Sequence, residues 1–225
     1  MKTNRILIAT TSHAQKGDTG ESTGAYIPEI SHPFDVFTRA GFAVEFASVK
    51  GGAVPLYGHE DADASVRAFL EGPGAAALAA STPSAAVDPT RYDAIFFAGG
   101  HGAMWDLPSD PGFRAVTAAI WAQGGVVSAV CHGPAALVDV KLADGRPLVE
   151  GRTVNAFTND EERAVKLEDV VPFLLEDLLV ARGARFVSAP RWQAKVAVDG
   201  RLVTGQNPAS AAPVAEAVVA ALQAG

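Results

Sequence analysis

Gly125-Val126-Val127-Ser128-Ala129-Val130-Cys131-His132-Gly133-Pro134 is the stretch on which the reading of this chain turns. Its first half is a short apolar run, the pattern of a strand buried on both faces. The run stops at the chain's one cysteine, and a helical pattern begins with Pro134 to Val138. Small residues stand two before and two after the thiol, at Ala129 and Gly133. A crowded strand-to-helix elbow that carries a nucleophile needs small residues there. Such a turn also points the side chain at a helix N-terminus, whose unpaired N–H groups favour a thiolate. The backbone N–H of His132 is then placed to stabilise an oxyanion. A buried structural thiol is the competing reading of any free cysteine, and spacing alone leaves both standing.

The same alternation extends in both directions. Strands are expected at Arg5 to Thr10, Phe42 to Val49, Ala94 to Ala98, Thr153 to Phe157, Arg185 to Ser188 and Lys195 to Val203, the last interrupted by an Asp199-Gly200 turn. Ile30, Phe34 and Phe37 recur on one helix face from Glu29 to near Gly41. Further helices are expected at Ala62 to Leu70, Phe113 to Gln123 and Pro172 to Arg182, the last stopped by Gly183. Asn207-Pro208 reads as an N-cap and a proline at the first position of a final helix. Residues 11–28 read as a loop and 72–86 as irregular chain. With no linker and no repeat, this is one α/β domain over residues 1–225, a mostly parallel sheet with helices on both faces.

The chain has 225 residues, 48% hydrophobic and 19% charged, enough for one substantial core. Its net charge of −7, without any Lys/Arg run, argues against a nucleic-acid partner. A single cysteine makes no internal disulfide, which points to a reducing, cytoplasmic setting. The polar Met1-Lys2-Thr3-Asn4-Arg5 precedes only Ile6-Leu7-Ile8-Ala9, too short for a signal-peptide core. No window approaches the roughly 18 apolar residues of a membrane span, so no membrane partner is expected.

In open parallel sheets, ligands bind beyond the carboxyl ends of the strands. Glu29, Gly99-Gly100-His101-Gly102 and Cys131 all follow expected strands or the loops leaving them. Gly99, Gly100 and His101 form a turn that brings backbone N–H groups close to a ligand, or simply a tight loop after a buried strand. His132 is a candidate general base. Glu29 is either a site carboxylate or a complement to a helix dipole. Glu162 is a candidate for orienting His132, with Glu161 and Asp160 as rivals and an acidic helix start as the plain alternative. No metal site is expected, because the five histidines are dispersed and no ligand spacing occurs. His59-Glu60-Asp61-Ala62-Asp63 reads as a solvated loop.

Ala129-Val130-Cys131-His132-Gly133-Pro134, taken with Ala98-Gly99-Gly100-His101-Gly102, resembles the ThiJ/PfpI superfamily, whose fold is that of the class I glutamine amidotransferases. Three more stretches resemble its glyoxalase III and heat-shock-chaperone branch: Pro28-Glu29-Ile30-Ser31-His32-Pro33, Phe157 to Glu162, and Leu202 to Ser210. The resemblance implies a flavodoxin-like three-layer α/β/α sandwich and a homodimer. It implies a nucleophilic Cys131 contacted by Glu29, followed by His132, with Glu162 completing the triad. It also implies a cofactor-free lyase that turns a small 2-oxoaldehyde, methylglyoxal, into lactate through a hemithioacetal. A deglycase, amidase or isonitrile hydratase on the same site, a holdase and a redox sensor are the alternatives.

Overall fold

Ile6, Leu7, Ile8 and Ala9 are fully buried, yet they do not share one core. Ile6 and Ile8 pack into one apolar cluster, Leu7 and Ala9 into another. A strand with period-two side chains does this only at the centre of a sheet covered on both faces.

The computed structural model describes residues 3–224, the side chain of Asp61 excepted; Met1, Lys2 and Gly225 lie outside the described residues. Its main sheet has seven strands: β1 (Arg5–Thr10), β2 (Ala43–Ser48), β3 (Thr82–Pro83), β4 (Ala94–Phe97), β5 (Val126–Val130), β6 (Val196–Asp199) and β7 (Leu202–Gly205). Their order is β6-β7-β5-β4-β1-β2-β3, parallel except for the β6–β7 hairpin. The α-helices among the described residues are α1 (Pro28–Arg39), α2 (Ala64–Glu71), α3 (Pro73–Ala79), α4 (Ala103–Asp106), α5 (Pro111–Ala122), α6 (Asn159–Ala164), α7 (Leu175–Ala181) and α8 (Ala211–Ala224). Helices α1, α2, α3 and α8 cover the face of Ile6, Ile8, Phe96 and Val203. Helices α5 and α7 cover the face of Leu7, Ile95, Phe97 and Val127. This is the flavodoxin-like α/β/α sandwich with a mostly parallel sheet. No helix among the described residues is long and apolar enough to cross a membrane.

Several local expectations are corrected. Residues 72–86 are not irregular: Pro73 opens α3, the alanines that follow are strong helix formers, and Leu78 anchors it in the core. The helix expected from Pro134 is only a five-residue 3-10 turn, Gly133–Leu137, in which every residue is buried and no solvent face is left to extend. Thr153–Val154 and Arg185–Phe186 pair with each other in a small separate ladder. Asn155 leaves that ladder because its N–H donates to the Thr204 hydroxyl of β7 (2.9 Å). Asn207 does not cap the last helix with its side chain; Pro208–Ser210 form a 3-10 turn first.

From β1 the chain builds outward through β2 to β3, then returns to β4 on the other side of β1. That reversal opens a crevice at the carboxyl ends of β1, β4 and β5.

Candidate active site

Cys131 follows β5 directly and has φ +58°, in the left-handed region. A non-glycine residue there carries roughly 1 kcal/mol or more of strain. Two backbone bonds clamp it: its N–H donates to Gly205 O and its carbonyl accepts from Phe157 N–H, both at 2.9 Å. Gly133 is required two residues on, because a Cβ there would collide with the Phe97 carbonyl. The elbow expected from Ala129 and Gly133 is therefore present. The left-handed turn also brings neighbouring side chains together, with Cys131 Sγ 3.3 Å from His132 Nδ1. On the other side of the imidazole, Nε2 lies 2.8 Å from Glu162 Oε2. With Nε2–H donating to the carboxylate, Nδ1 is the lone pair that faces the thiol.

Glu29 enters from the first turn of α1 and is fully buried. Its Oε2 accepts from Gly99 N–H at 2.9 Å, and the Cys131 thiol is its other neighbour. Burial pushes the carboxyl up to about 8, against the weaker opposing effect of those hydrogen bonds. At neutral pH it therefore keeps its proton beside the thiol, and its second oxygen, Oε1, has no hydrogen-bond partner. The thiol is also pushed up, first by burial and then by any charge on Glu29. The second effect vanishes while Glu29 stays protonated. Backbone N–H groups of Gly100 and His132 point at the sulfur and favour its anion. The glycine loop thus divides its work. The Gly99 N–H holds Glu29, and Gly100, at φ +99° against the Gly24–Tyr26 backbone, offers its N–H to the thiol.

His101 does something the sequence did not indicate. Its imidazole Nε2 bonds Glu162 Oε1 at 2.8 Å, and its ring lies 4.1 Å from that of His132. Burial, and then repulsion from any positive charge on His132, hold it down at about 4, so it is neutral. Burial alone would raise Glu162, but attraction to any positive charge on His132 and the hydrogen bonds from both histidines outweigh it and hold the carboxyl at about 2. One carboxylate thus serves two imidazoles. Histidines dispersed in sequence have converged: donor atoms of His101, His132 and Glu162 lie within 4.8 Å of one another, the one such group of metal-ligating type among the described residues. In the hydrogen-bonded arrangement those same atoms are already paired with each other.

Two further residues complete the site without having stood out in the sequence. Tyr57 accepts from His101 N–H (3.2 Å), and burial pushes its hydroxyl well up. Phe157 packs 4.4 Å from the His132 ring, with the half-exposed Trp192 beyond it. Tyr57 lies in a two-residue strand with no periodicity to mark it.

Glu161 is the rival that the structure sends elsewhere. Its buried carboxylate accepts from Thr158 N–H, the Thr158 hydroxyl, Trp192 N–H, Gln206 Nε2 and Asn207 Nδ2, at 2.8–3.1 Å. Thr158 and Glu161 form a capping box at the start of α6. Asp160 pairs with Arg191 on the surface. Glu161→Ala is expected to destabilise the fold by about 3–5 kcal/mol, since it orphans several buried donors at once. The check is a urea titration, in which a midpoint close to the parent's would refute the hub.

The match to known proteins follows this geometry. The model of the DJ-1/PfpI family matches residues 24–221. A glutathione-independent glyoxalase of Saccharomyces cerevisiae is 32% identical over 243 residues, covering 99% of this chain and 100% of its own. The solved glyoxalase III of Candida albicans superposes with a TM-score of 0.90 at 30% identity, over 97% of both chains. The Rapid Encystment Protein 24 kDa of Francisella tularensis superposes with a TM-score of 0.93 at 39% identity, over 99% of both. With a strained cysteine elbow at the end of a central parallel strand and a family match across nearly its whole length, this chain belongs to the DJ-1/PfpI family.

Proposed function

We propose that this protein is a glutathione-independent glyoxalase that converts methylglyoxal to lactate, with Cys131 as covalent nucleophile. The observation that carries the reading is the line from Cys131 Sγ through His132 Nδ1 and Nε2 to Glu162, with a protonated Glu29 on the other side of the sulfur. The relatives named glutathione-independent glyoxalase and glyoxalase III support it.

The steps balance without an external redox partner. The Cys131 proton passes to His132 Nδ1 as sulfur adds to the aldehyde carbon, and the resulting alkoxide takes the proton back as a hemithioacetal hydroxyl. His132 then removes the hydrogen from that carbon while Glu29 donates to the ketone oxygen, giving an enediol. His132 returns its proton to the former ketone carbon, and the first hydroxyl collapses to a thioester carbonyl as its proton restores Glu29. Water cleaves the thioester, releasing lactate and the thiol. Glu162 stabilises the imidazolium in every step that charges it, and the N–H groups of Gly100 and His132 stabilise oxygen anions. The deciding assay is lactate formation from methylglyoxal with no glutathione present; no lactate means another reaction on this site.

The pH profile tests Glu29. Above about pH 8 its carboxyl ionises beside the thiol, which opposes both thiolate and alkoxide, so kcat/KM is expected to decline there. Glu29→Gln keeps a donor but has no proton to transfer. It is expected to lose about tenfold or more in kcat/KM at pH 7 and to lose that alkaline limb. The stability sign is set by the raised value: the folded protein holds a proton that the unfolded chain has released. Wild-type stability therefore falls as pH rises from the unfolded carboxyl value toward 8. The Gln variant lacks this dependence and is expected to melt above the parent at pH 9 but not at pH 5. An unchanged alkaline limb in Glu29→Gln would take Glu29 out of the mechanism.

A further inference from the structure

On the outer side of His101 and Tyr57 lies a cavity of about 520 Å³. Its walls come from the loop after β1, with Lys16 and Thr23, and from the segment after α6, with Lys166 and Leu167. The β1 loop is a built structure. Lys16 N–H bonds Glu21 O, Thr23 N–H bonds Ala14 O, and His13 stacks on Trp105.

Three observations give the cavity a chemistry. The Lys16 side chain is 22% exposed and its Nζ lies 2.8 Å from Glu21 Oε2, while the Glu21 side chain is 67% exposed. An ion pair with one solvated partner is weak and exchangeable, so the ammonium is available to a competing anion. Thr23 is 4% exposed, and its hydroxyl has no hydrogen-bond partner. A buried hydroxyl without a partner is unfavourable until a ligand supplies one. Finally, two lysines face one acid around this opening, in a chain whose net charge is −7.

We propose that this cavity is a tail subsite, which binds the carboxylate of an acidic 2-oxoaldehyde whose aldehyde carbon is held at Cys131, with Lys16 as its counter-ion and Thr23 as a hydroxyl donor. The assignment rests on the glyoxalase reading above and specifies its substrate class. His101 and Tyr57 line the cavity, and the His101 ring lies 4.1 Å from that of His132, so a chain that joins the cavity to Cys131 has to pass these two side chains. A carboxylate suits the site better than a phosphate, since no arginine among the described residues lines it to grip a dianion. Cationic adducts on lysine or arginine side chains meet like charge. The tail is unchanged in the reaction: the aldehyde carbon becomes a carboxylate, the ketone a hydroxyl, and one water is consumed. The product is a 2-hydroxy dicarboxylate.

The test compares methylglyoxal with dioxovalerate, the glyoxal that bears a carboxyethyl chain. At low ionic strength dioxovalerate is expected to have a kcat/KM about tenfold or more above that of methylglyoxal, a preference that shrinks as salt is raised. Lys16→Gln and Thr23→Val should each lower the ratio, and Glu21→Gln, which releases the lysine, should raise it. A ratio near one, or a ratio indifferent to Lys16→Gln and to salt, overturns the subsite. If neither aldehyde is turned over, the glyoxalase reading has failed, and calorimetry with glutarate decides the subsite by itself. Saturable binding weakened by Lys16→Gln upholds an anion site, and no binding removes it.

Discussion

Cys131→Ala protein is expected to fold and to form no lactate from methylglyoxal above background, a loss of at least about 10⁴ in kcat/KM, or about 5 kcal/mol of transition-state stabilisation. The size follows from what surrounds the thiol. His132, Glu29, His101 and Tyr57 can move protons, but none forms the thioester that makes the internal transfer from aldehyde to ketone productive. Intact-mass measurement after brief exposure to methylglyoxal should show an adduct on the parent and none at this position on the variant. Retention of activity within tenfold would falsify the covalent route. The elbow supplies an independent check on the backbone. Alanine inherits the strain of φ +58°, whereas glycine does not. Cys131→Gly should therefore be more stable than Cys131→Ala by about 1 kcal/mol, with both inactive.

Glu162→Gln is expected to lower kcat by about 10³-fold with a much smaller effect on folding. The carboxylate accepts N–H from His132 at Oε2 and from His101 at Oε1, both at 2.8 Å. An amide offers one acceptor and one donor, so one histidine must rotate or change tautomer. If His132 moves its proton to Nδ1, it meets the thiol with an N–H instead of a lone pair and cannot accept the sulfhydryl proton. The loss of negative charge also removes what stabilises the imidazolium. Set beside Glu161→Ala, the contrast is diagnostic: the neighbour should cost mainly stability, this residue mainly turnover. A Glu162→Gln enzyme within tenfold of the parent, with a normal melting temperature, would show that His132 does not depend on it.

The sheet was legible because its central strands obey a local rule. Ile6 to Ala9 is apolar at consecutive positions, and Val126 to Val130 is interrupted only by Ser128, whose hydroxyl donates to the Ile95 carbonyl; only a strand buried on both faces tolerates such runs. Other segments take a conformation that their neighbours set. The alanine-rich 73–79 stretch becomes a helix because Leu78 has a core to enter. The Gly133–Leu137 turn stays short because it is packed on every side. Asn207 has the residue type of a cap, but its Nδ2 donates to Glu161 Oε1 and Gln193 O, which turns its Oδ1 toward the Ser210 hydroxyl instead of a backbone N–H.

By itself, the sequence determined that a thiol ends a central strand, that a glycine turn ends the strand beside it, and that an acidic helix start lies downstream. These are properties of short windows, and spacing carries them. The capping-box pattern Thr158-Asn159-Asp160-Glu161 also lay open in the sequence. Reading it would have assigned Glu161 to its own helix start. Only the tertiary structure decided between Glu161 and Glu162, because successive helix positions are turned by about 100° and face different neighbours. Which of them meets His132 depends on how α6 docks. Likewise His101 and His132 meet because β4 and β5 lie side by side and end together, a contact created by a crossover connection between distant segments.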